Sequence, residues 1–193
     1  NPSLAEYVEE LLEPGDSVLR AIQKLAETNK LPPIQLGAMD ARHLTLLAAL
    51  GKGSKAVEIG TLGGYSGVSI LRGLGEKGRL WTCEIDPKHA EVAWEAFELA
   101  KVAGQVEVLV GPALESLPKI ETHGPFDLVF IDADKQNYPK YVEWAIKNLN
   151  IGGLIIGDNT FAFGEINLPE KQALPTVQAL RYFNASLARS HEF

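Results

Sequence analysis

The sequence predicts an α/β protein built on a mostly parallel central sheet. Two observations carry that class. From residue 55 onward, short apolar runs alternate with longer amphipathic ones, which is the rhythm of βαβ units. A glycine-rich turn, Gly60 to Gly67, follows the first of those runs and opens a helix. Open sheets that hold a ligand at the carboxyl ends of their strands are built this way.

The first fifty residues read as helices. Leu4, Val8, Leu11 and Leu12 fall at helical spacing, and Pro14-Gly15 then breaks the chain. Asp16-Ser17 offers an N-cap for a second helix with Val18, Leu19, Ile22, Leu25 and Ala26 on one stripe. Leu31-Pro32-Pro33 stops it. A third helix is expected over about 40–50, with Leu44, Leu46, Leu47 and Leu50 as its apolar positions. The strand candidates are 56–59, 79–83, 106–110, 128–131 and 154–156. Helices are expected between them at about 64–73, 87–102 and 137–149, with a short one near 113–117. Crossovers between parallel strands are expected to be right-handed. A last helix is read over 174–189 from Val177, Leu180, Phe183 and Leu187.

Composition bounds the rest. The 193 residues amount to one domain at the usual ~100–200 residues each, with a helical cap over 1–50 and a core over 55–193. Cys83 is the only cysteine, which excludes a disulfide scaffold and a thiolate zinc site within one chain. No apolar run approaches the ~20 residues of a membrane span. The charge balance of 18 basic against 25 acidic residues speaks against nucleic acid as a partner. Residues 1–15 carry four glutamates and no basic residue, so a cytoplasmic location is expected.

The turn after the first strand selects its ligand largely by exclusion. Gly60 is followed by Thr61-Leu62, so a G-x-G-x-x-G dinucleotide fingerprint is missing, as is a phosphate-loop lysine. A nucleophile elbow fails because position 68 is Val. Glu58, near the strand end, repels a pyrophosphate and suits a cationic group. Glu84 ends the second strand 26 residues later, where an acid accepts ribose hydroxyls. Each feature alone is explained by a tight turn or a solvated acid. Together they fit a cationic nucleoside carrying an amino acid, the shape of S-adenosylmethionine.

Asp132 follows the fourth strand, and Asp158 and Asn159 follow the fifth. Two carboxylates and an amide carbonyl suit Mg²⁺, which prefers ~6 oxygens and leaves several to water or substrate. From spacing alone, aspartates capping strand-to-loop junctions explain the pair equally well. Cys83 reads as a core residue. His43 and His89 read as surface or packing residues, and Trp81, Trp94 and Trp144 as packing. Phe161 and Phe163 fit a wall for an aromatic acceptor or core packing alike.

The motifs V-E-I-G-T-x-G-G-Y-S, E-I-D-P, G-P-A-L-E, F-I-D-A-D-K-x-N-Y and G-D-N-T resemble the cation-dependent O-methyltransferases. The nearest branch is the caffeoyl-CoA and bacterial catechol type, and the likeness runs from about residue 34 to 163. The resemblance implies the class I methyltransferase (Rossmann-like) fold, with helices on both faces of the sheet and extra N-terminal helices. It implies that Glu58, Gly60, Thr61 and Ser66 hold the methionine part of S-adenosylmethionine and that Glu84 binds its ribose. Ala113 would contact adenine, Leu36 would give a backbone contact, and Asp134 and Tyr141 match cofactor-side positions. Asp132, Asp158 and Asn159 would bind Mg²⁺ or another divalent cation such as Mn²⁺ or Ca²⁺. Asp132 would also border the cofactor and share catalysis with Lys135, which would lie beside the acceptor hydroxyl. The implied acceptor is a small aromatic diol: a catechol, a caffeoyl thioester, a flavonoid or another ortho-diphenol. A homodimer is implied, and the N-terminal helices would cover the substrate or mediate that contact. Relatives end in an antiparallel hairpin after the last helix, so those strands are expected to be missing here. The alternatives are a nucleotide-dependent oxidoreductase and a non-catalytic cofactor-binding protein on the same sheet.

Overall fold

The computed structural model describes residues 16–190 together with Tyr7 and Leu11. The helix expected over residues 4–12 lies, apart from those two positions, outside the described residues. Helices α1 (Ser17–Thr28) and α2 (Ala38–Leu50) come first. They are followed by β1 (Lys55–Ile59), α3 (Tyr65–Leu74), β2 (Arg79–Glu84), α4 (Pro87–Leu99), β3 (Val106–Val110) and α5 (Ala113–Ile120). The chain continues through β4 (Phe126–Ile131), α6 (Tyr138–Asn148), β5 (Leu149–Gly157) and α7 (Pro175–Arg189). The strands lie in the order β3-β2-β1-β4-β5, and every pairing is parallel.

Alternation along the strands sorts their side chains to two buried faces. Val57, Ile59, Trp81, Cys83, Val129 and Ile131 meet α5, α6 and α7 through residues such as Leu117, Tyr138 and Phe183. Ala56, Leu80, Leu128 and Phe130 meet α1 to α4 through residues such as Ile22, Leu44, Val68 and Phe97. Helices therefore cover both faces, as expected. Each fully buried large apolar side chain contributes about 1.5–3 kcal/mol.

Sequence patterning misjudged α2. Of its leucines only Leu44 is buried, while Leu46, Leu47 and Leu50 are exposed. The helix instead packs through Ala38, Ala41 and Ala48, because it runs close to α3. A Cβ at Gly73 of α3 would lie 2.4 Å from the Thr45 carbonyl oxygen. Small residues are what this approach admits.

Other boundaries moved for local reasons. The fifth strand runs nine residues rather than three, through Gly152 and Gly153. Gly152 takes φ +83 where the register with β4 shifts, so the strand carries an irregularity there. The α5 helix continues through Pro118 to Ile120. The expected cap of α1 is present, with the Asp16 side chain accepting from Leu19 N at 3.0 Å. Arg72 of α3 donates to the same carboxylate, and that bond leads in holding Asp16 below the usual carboxylate range. No helix among the described residues is long and apolar enough to cross a membrane.

Candidate active site

The chain runs β1-β2-β3 toward one edge and β4-β5 toward the other, so the strand order reverses between β1 and β4. Ligands of open α/β sheets lie at the carboxyl ends of the strands beside such a reversal. A cavity of about 830 Å³ opens there. Its walls are the turn after β1, the tips of β2, β4 and β5, the segment 111–114, and the segment 33–37 ahead of α2.

The turn is fixed at its root. Gly60 has φ +99, and Asp132 N donates to Ile59 O at 2.9 Å just beside it. Glu84 then shapes the outer part. Its Oε2 accepts from Thr61 N at 3.2 Å and Leu62 N at 2.8 Å, and its Oε1 accepts from Asp86 N at 2.9 Å. A carboxylate offers about four acceptor sites, so Glu84 retains capacity for a ligand on the cavity wall. Gly60, Thr61, Ser66, Leu36 and Ala113 line the same cavity.

Glu58 departs from its expected position. It is fully buried and stands behind the turn rather than on the wall. Its Oε2 accepts from the Thr82 hydroxyl at 2.6 Å, and that hydroxyl also pairs with the Thr61 hydroxyl. Its Oε1 has no hydrogen-bond partner. Burial pushes its carboxyl up to about 7, against the pull of the Ser66 and Thr82 hydroxyls, with the Asp132 and Glu84 charges adding to the rise. Depth along the strand explains the position: Glu58 lies one residue back from the end of β1, on the same face as Thr82, and the Thr61 and Thr82 hydroxyls stand over it.

The tips of β4 and β5 bring Asp132, Asp134, Lys135, Asp158 and Asn159 onto one wall. Lys135 Nζ donates to Asp132 Oδ1 at 2.8 Å and to the Tyr138 hydroxyl at 2.6 Å. Asp158 Oδ1 accepts from Asn159 N at 2.7 Å, and Asn159 takes φ +53. Burial raises the Asp158 carboxyl, the Asp132 charge raises it further, and Asp40 acts in the same direction. The two acids thus repel across the site. Tyr141 donates to Asp134 Oδ1 at 2.6 Å, and burial together with that carboxylate pushes its phenol up. Among the described residues no three His, Cys, Asp or Glu side chains converge as a metal cluster, so the candidate set is two aspartates and one amide.

The wall also holds residues outside the set expected from sequence. His89 lines the cavity, with Nδ1 3.7 Å from Glu84 Oε1 and Nε2 3.9 Å from Asp86 Oδ2. Its place one turn into α4, behind the Asp86 cap, was the available signal. Asp40 also lines it, from the start of α2. Phe163 stands at the rim, whereas Phe161 is exposed and off the wall, so neither is core. Trp94 is exposed rather than packed. Cys83 touches the wall but is 2% exposed, and burial pushes its thiol up to about 12, which makes it inert as a nucleophile.

Comparison with known proteins agrees with this geometry. An O-methyltransferase family model matches residues 10–192. A catechol O-methyltransferase of Mycobacterium tuberculosis is 42% identical over 180 residues, covering 93% of this chain and 81% of the relative. The Bacillus cereus O-methyltransferase solved with SAH is 39% identical at a TM-score of 0.92, covering 97% of this chain and 86% of that one. The Streptomyces achromogenes O-methyltransferase TomG, solved with SAM, is 36% identical at a TM-score of 0.88, covering 95% and 83%.

Proposed function

The chain belongs to the O-methyltransferase family, and we propose that it moves the methyl group of S-adenosylmethionine to one hydroxyl of a vicinal dihydroxy aromatic acceptor, with a divalent cation bound at Asp132, Asp158 and Asn159. One observation carries the reading. The glycine turn with Glu84, and the Asp132, Asp158, Asn159 and Lys135 group, open into a single cavity. The family match removes the oxidoreductase alternative.

The wall chemistry suits a cationic donor. Asp40, Glu84, Asp132, Asp134 and Asp158 face the cavity, against Lys135 as the one lysine there among the described residues. Glu84 is the candidate for the ribose hydroxyls, and Ala113 with Leu114 for an apolar edge against adenine. Leu36, Gly60, Thr61, Ser66, Asp134 and Tyr141 are the remaining cofactor-side candidates.

The donor set also suits a hard cation, since two carboxylates and an amide carbonyl are all oxygen. Burial first, and the Asp132 charge after it, raise the Asp158 carboxyl, and a cation between the two acids would oppose both. A divalent cation held there lowers the pKa of a phenol oxygen it contacts. Methyl transfer is an in-line displacement: the acceptor oxygen, its proton already released to water, forms a bond to the methyl carbon as the carbon–sulfur bond breaks and its electron pair stays on sulfur. The task of the protein is alignment, which supplies up to about 7–11 kcal/mol in good intramolecular models. Lys135 uses two hydrogens of its ammonium on Asp132 and Tyr138, leaving the third for the acceptor oxygen. We also read the protein as a cytoplasmic homodimer. The exposed Met39, Leu46, Leu47 and Leu50 of α2 support a covered face there.

The test is turnover of catechol with S-adenosylmethionine and Mg²⁺, followed by mass detection of the monomethyl ether. Product that vanishes in excess chelator supports the reading; full turnover in chelator removes the cation from it.

A further inference from the structure

We propose that the buried Tyr138 hydroxyl is the positioning group of this site, pinning the tips of β4 and β5 to each other and to Lys135. The inference rests on the reading of Asp132, Asp158 and Lys135 given above.

The β4–β5 ladder has its last register pair at Ile131 and Gly157, with Asp158 N donating to Ile131 O at 3.0 Å. Beyond it the two chains part into separate loops, and it is those loops that carry the acids. The Tyr138 hydroxyl stands across the gap. It lies 3.0 Å from Ile131 O and 2.9 Å from Asp158 O, so its single proton is shared between two carbonyls, one at each tip. Its oxygen accepts from Lys135 Nζ at 2.6 Å, and the ammonium sits 4.7 Å from the centre of the Tyr138 ring. One buried hydroxyl thus acts as a further rung of the sheet and as a stop for the lysine.

Packing alone does not require a tyrosine. The ring is fully buried and meets Phe183 edge-on at 5.3 Å, a contact that phenylalanine would make equally well. Burying a hydroxyl is costly unless it is hydrogen-bonded. Every partner this one has lies next to, or is, a residue assigned to the reaction. Tyr138 does not line the cavity, so it acts through those residues and is not itself catalytic.

The test is Tyr138→Phe, read four ways: Mn²⁺ affinity by electron paramagnetic resonance, S-adenosylmethionine affinity by calorimetry, kcat on catechol, and melting temperature. Expected are a Mn²⁺ Kd raised at least fivefold, a kcat lowered at least tenfold, and a cofactor Kd within twofold of the parent. In a Lys135→Met background the same change should still weaken Mn²⁺ but lower kcat little further. Mn²⁺ affinity and kcat both within twofold of the parent overturn the proposal, as does a parallel loss of cofactor affinity and melting temperature. If Tyr138→Phe fails to fold, Lys135→Met alone decides. The proposal expects it to bind Mn²⁺ at least as tightly as the parent, and a tenfold loss means the lysine holds the tips instead. A parent that binds no Mn²⁺ and turns over in chelator defeats the cation reading alone. The pin is then judged by whether Tyr138→Phe lowers kcat while sparing cofactor affinity.

Discussion

A Cβ at position 60 would lie 2.0 Å from the carbonyl oxygen of Asp132, so Gly60 and Asp132 leave no room for a side chain between them. This contact joins the root of the turn after β1 to the tip of β4. The half of the cavity read as the cofactor site is thereby locked to the half read as the reaction site. Gly60→Ala must move one of the two backbones and also hold a strained φ of +99. We expect destabilisation of about 1–3 kcal/mol and a loss of S-adenosylmethionine affinity out of proportion to it. Thermal melting and calorimetry on the same preparation check this; an unshifted melt together with parental affinity would contradict the locked geometry.

Glu84 carries two loads that substitution separates. Glu84→Ala leaves the N–H groups of Thr61, Leu62 and Asp86 without their acceptor, which costs on the order of 1–3 kcal/mol. Glu84→Gln retains part of that bonding but loses the charge. Cofactor affinity should fall at least tenfold in both, with stability falling further in the alanine variant. Urea titration and calorimetry measure the two effects, and parental affinity in Glu84→Ala would remove the ribose assignment.

Asp158→Ala should abolish turnover of a catechol, a loss larger than the roughly 10–100-fold that follows removal of a mere supporting partner of a metal ligand, while cofactor affinity is retained. Dialysis against a chelator should have the same effect on the parent, reversed by adding Mg²⁺. Activity of the alanine variant that does not respond to Mg²⁺ would detach Asp158 from the cation.

Stability should depend on pH through Glu58. Its folded pKa of about 7 lies above the ordinary 4.5, so the folded chain holds this proton more tightly than the unfolded one. Its contribution is complete below the unfolded value and is lost as pH rises from about 4.5 to about 7. Glu58→Gln cannot ionise, so it buries no charge at any pH. We expect the ligand-free variant to melt several degrees above the parent at pH 8 and close to it at pH 5, while binding S-adenosylmethionine more weakly. A parent–variant difference that does not change between those two pH values would argue against a raised carboxyl.

Much of this site could be read from residue order alone. Strand tips are where a parallel sheet brings distant residues together, so Gly60, Glu84, Asp132 and Asp158 shared a wall once the strands were assigned. Glu58 shares its sheet face with Glu84, so residue order alone does not tell the two acids apart; what separates them is that Glu58 stops one residue short of the strand end and is closed over by Thr61 and Thr82. His89 was missed because a histidine on a helix carries no signal until the cap ahead of it fixes which way it points. The Tyr138 hydroxyl was missed because the two groups it donates to are backbone carbonyls, which every residue has. The leucines of α2 misled because apolar spacing does not reveal how near a neighbouring helix comes; that distance was set by Gly73.

Cys83 makes the fold its own reporter. A single thiol that is nearly shielded from solvent, with its pKa pushed up to about 12, resists alkylation at neutral pH while the sheet is closed. Its labelling rate under native conditions therefore counts opening events, with no engineered probe. Comparing that rate with and without S-adenosylmethionine yields the protection conferred by the cofactor, from a reagent, a quench and a mass spectrum.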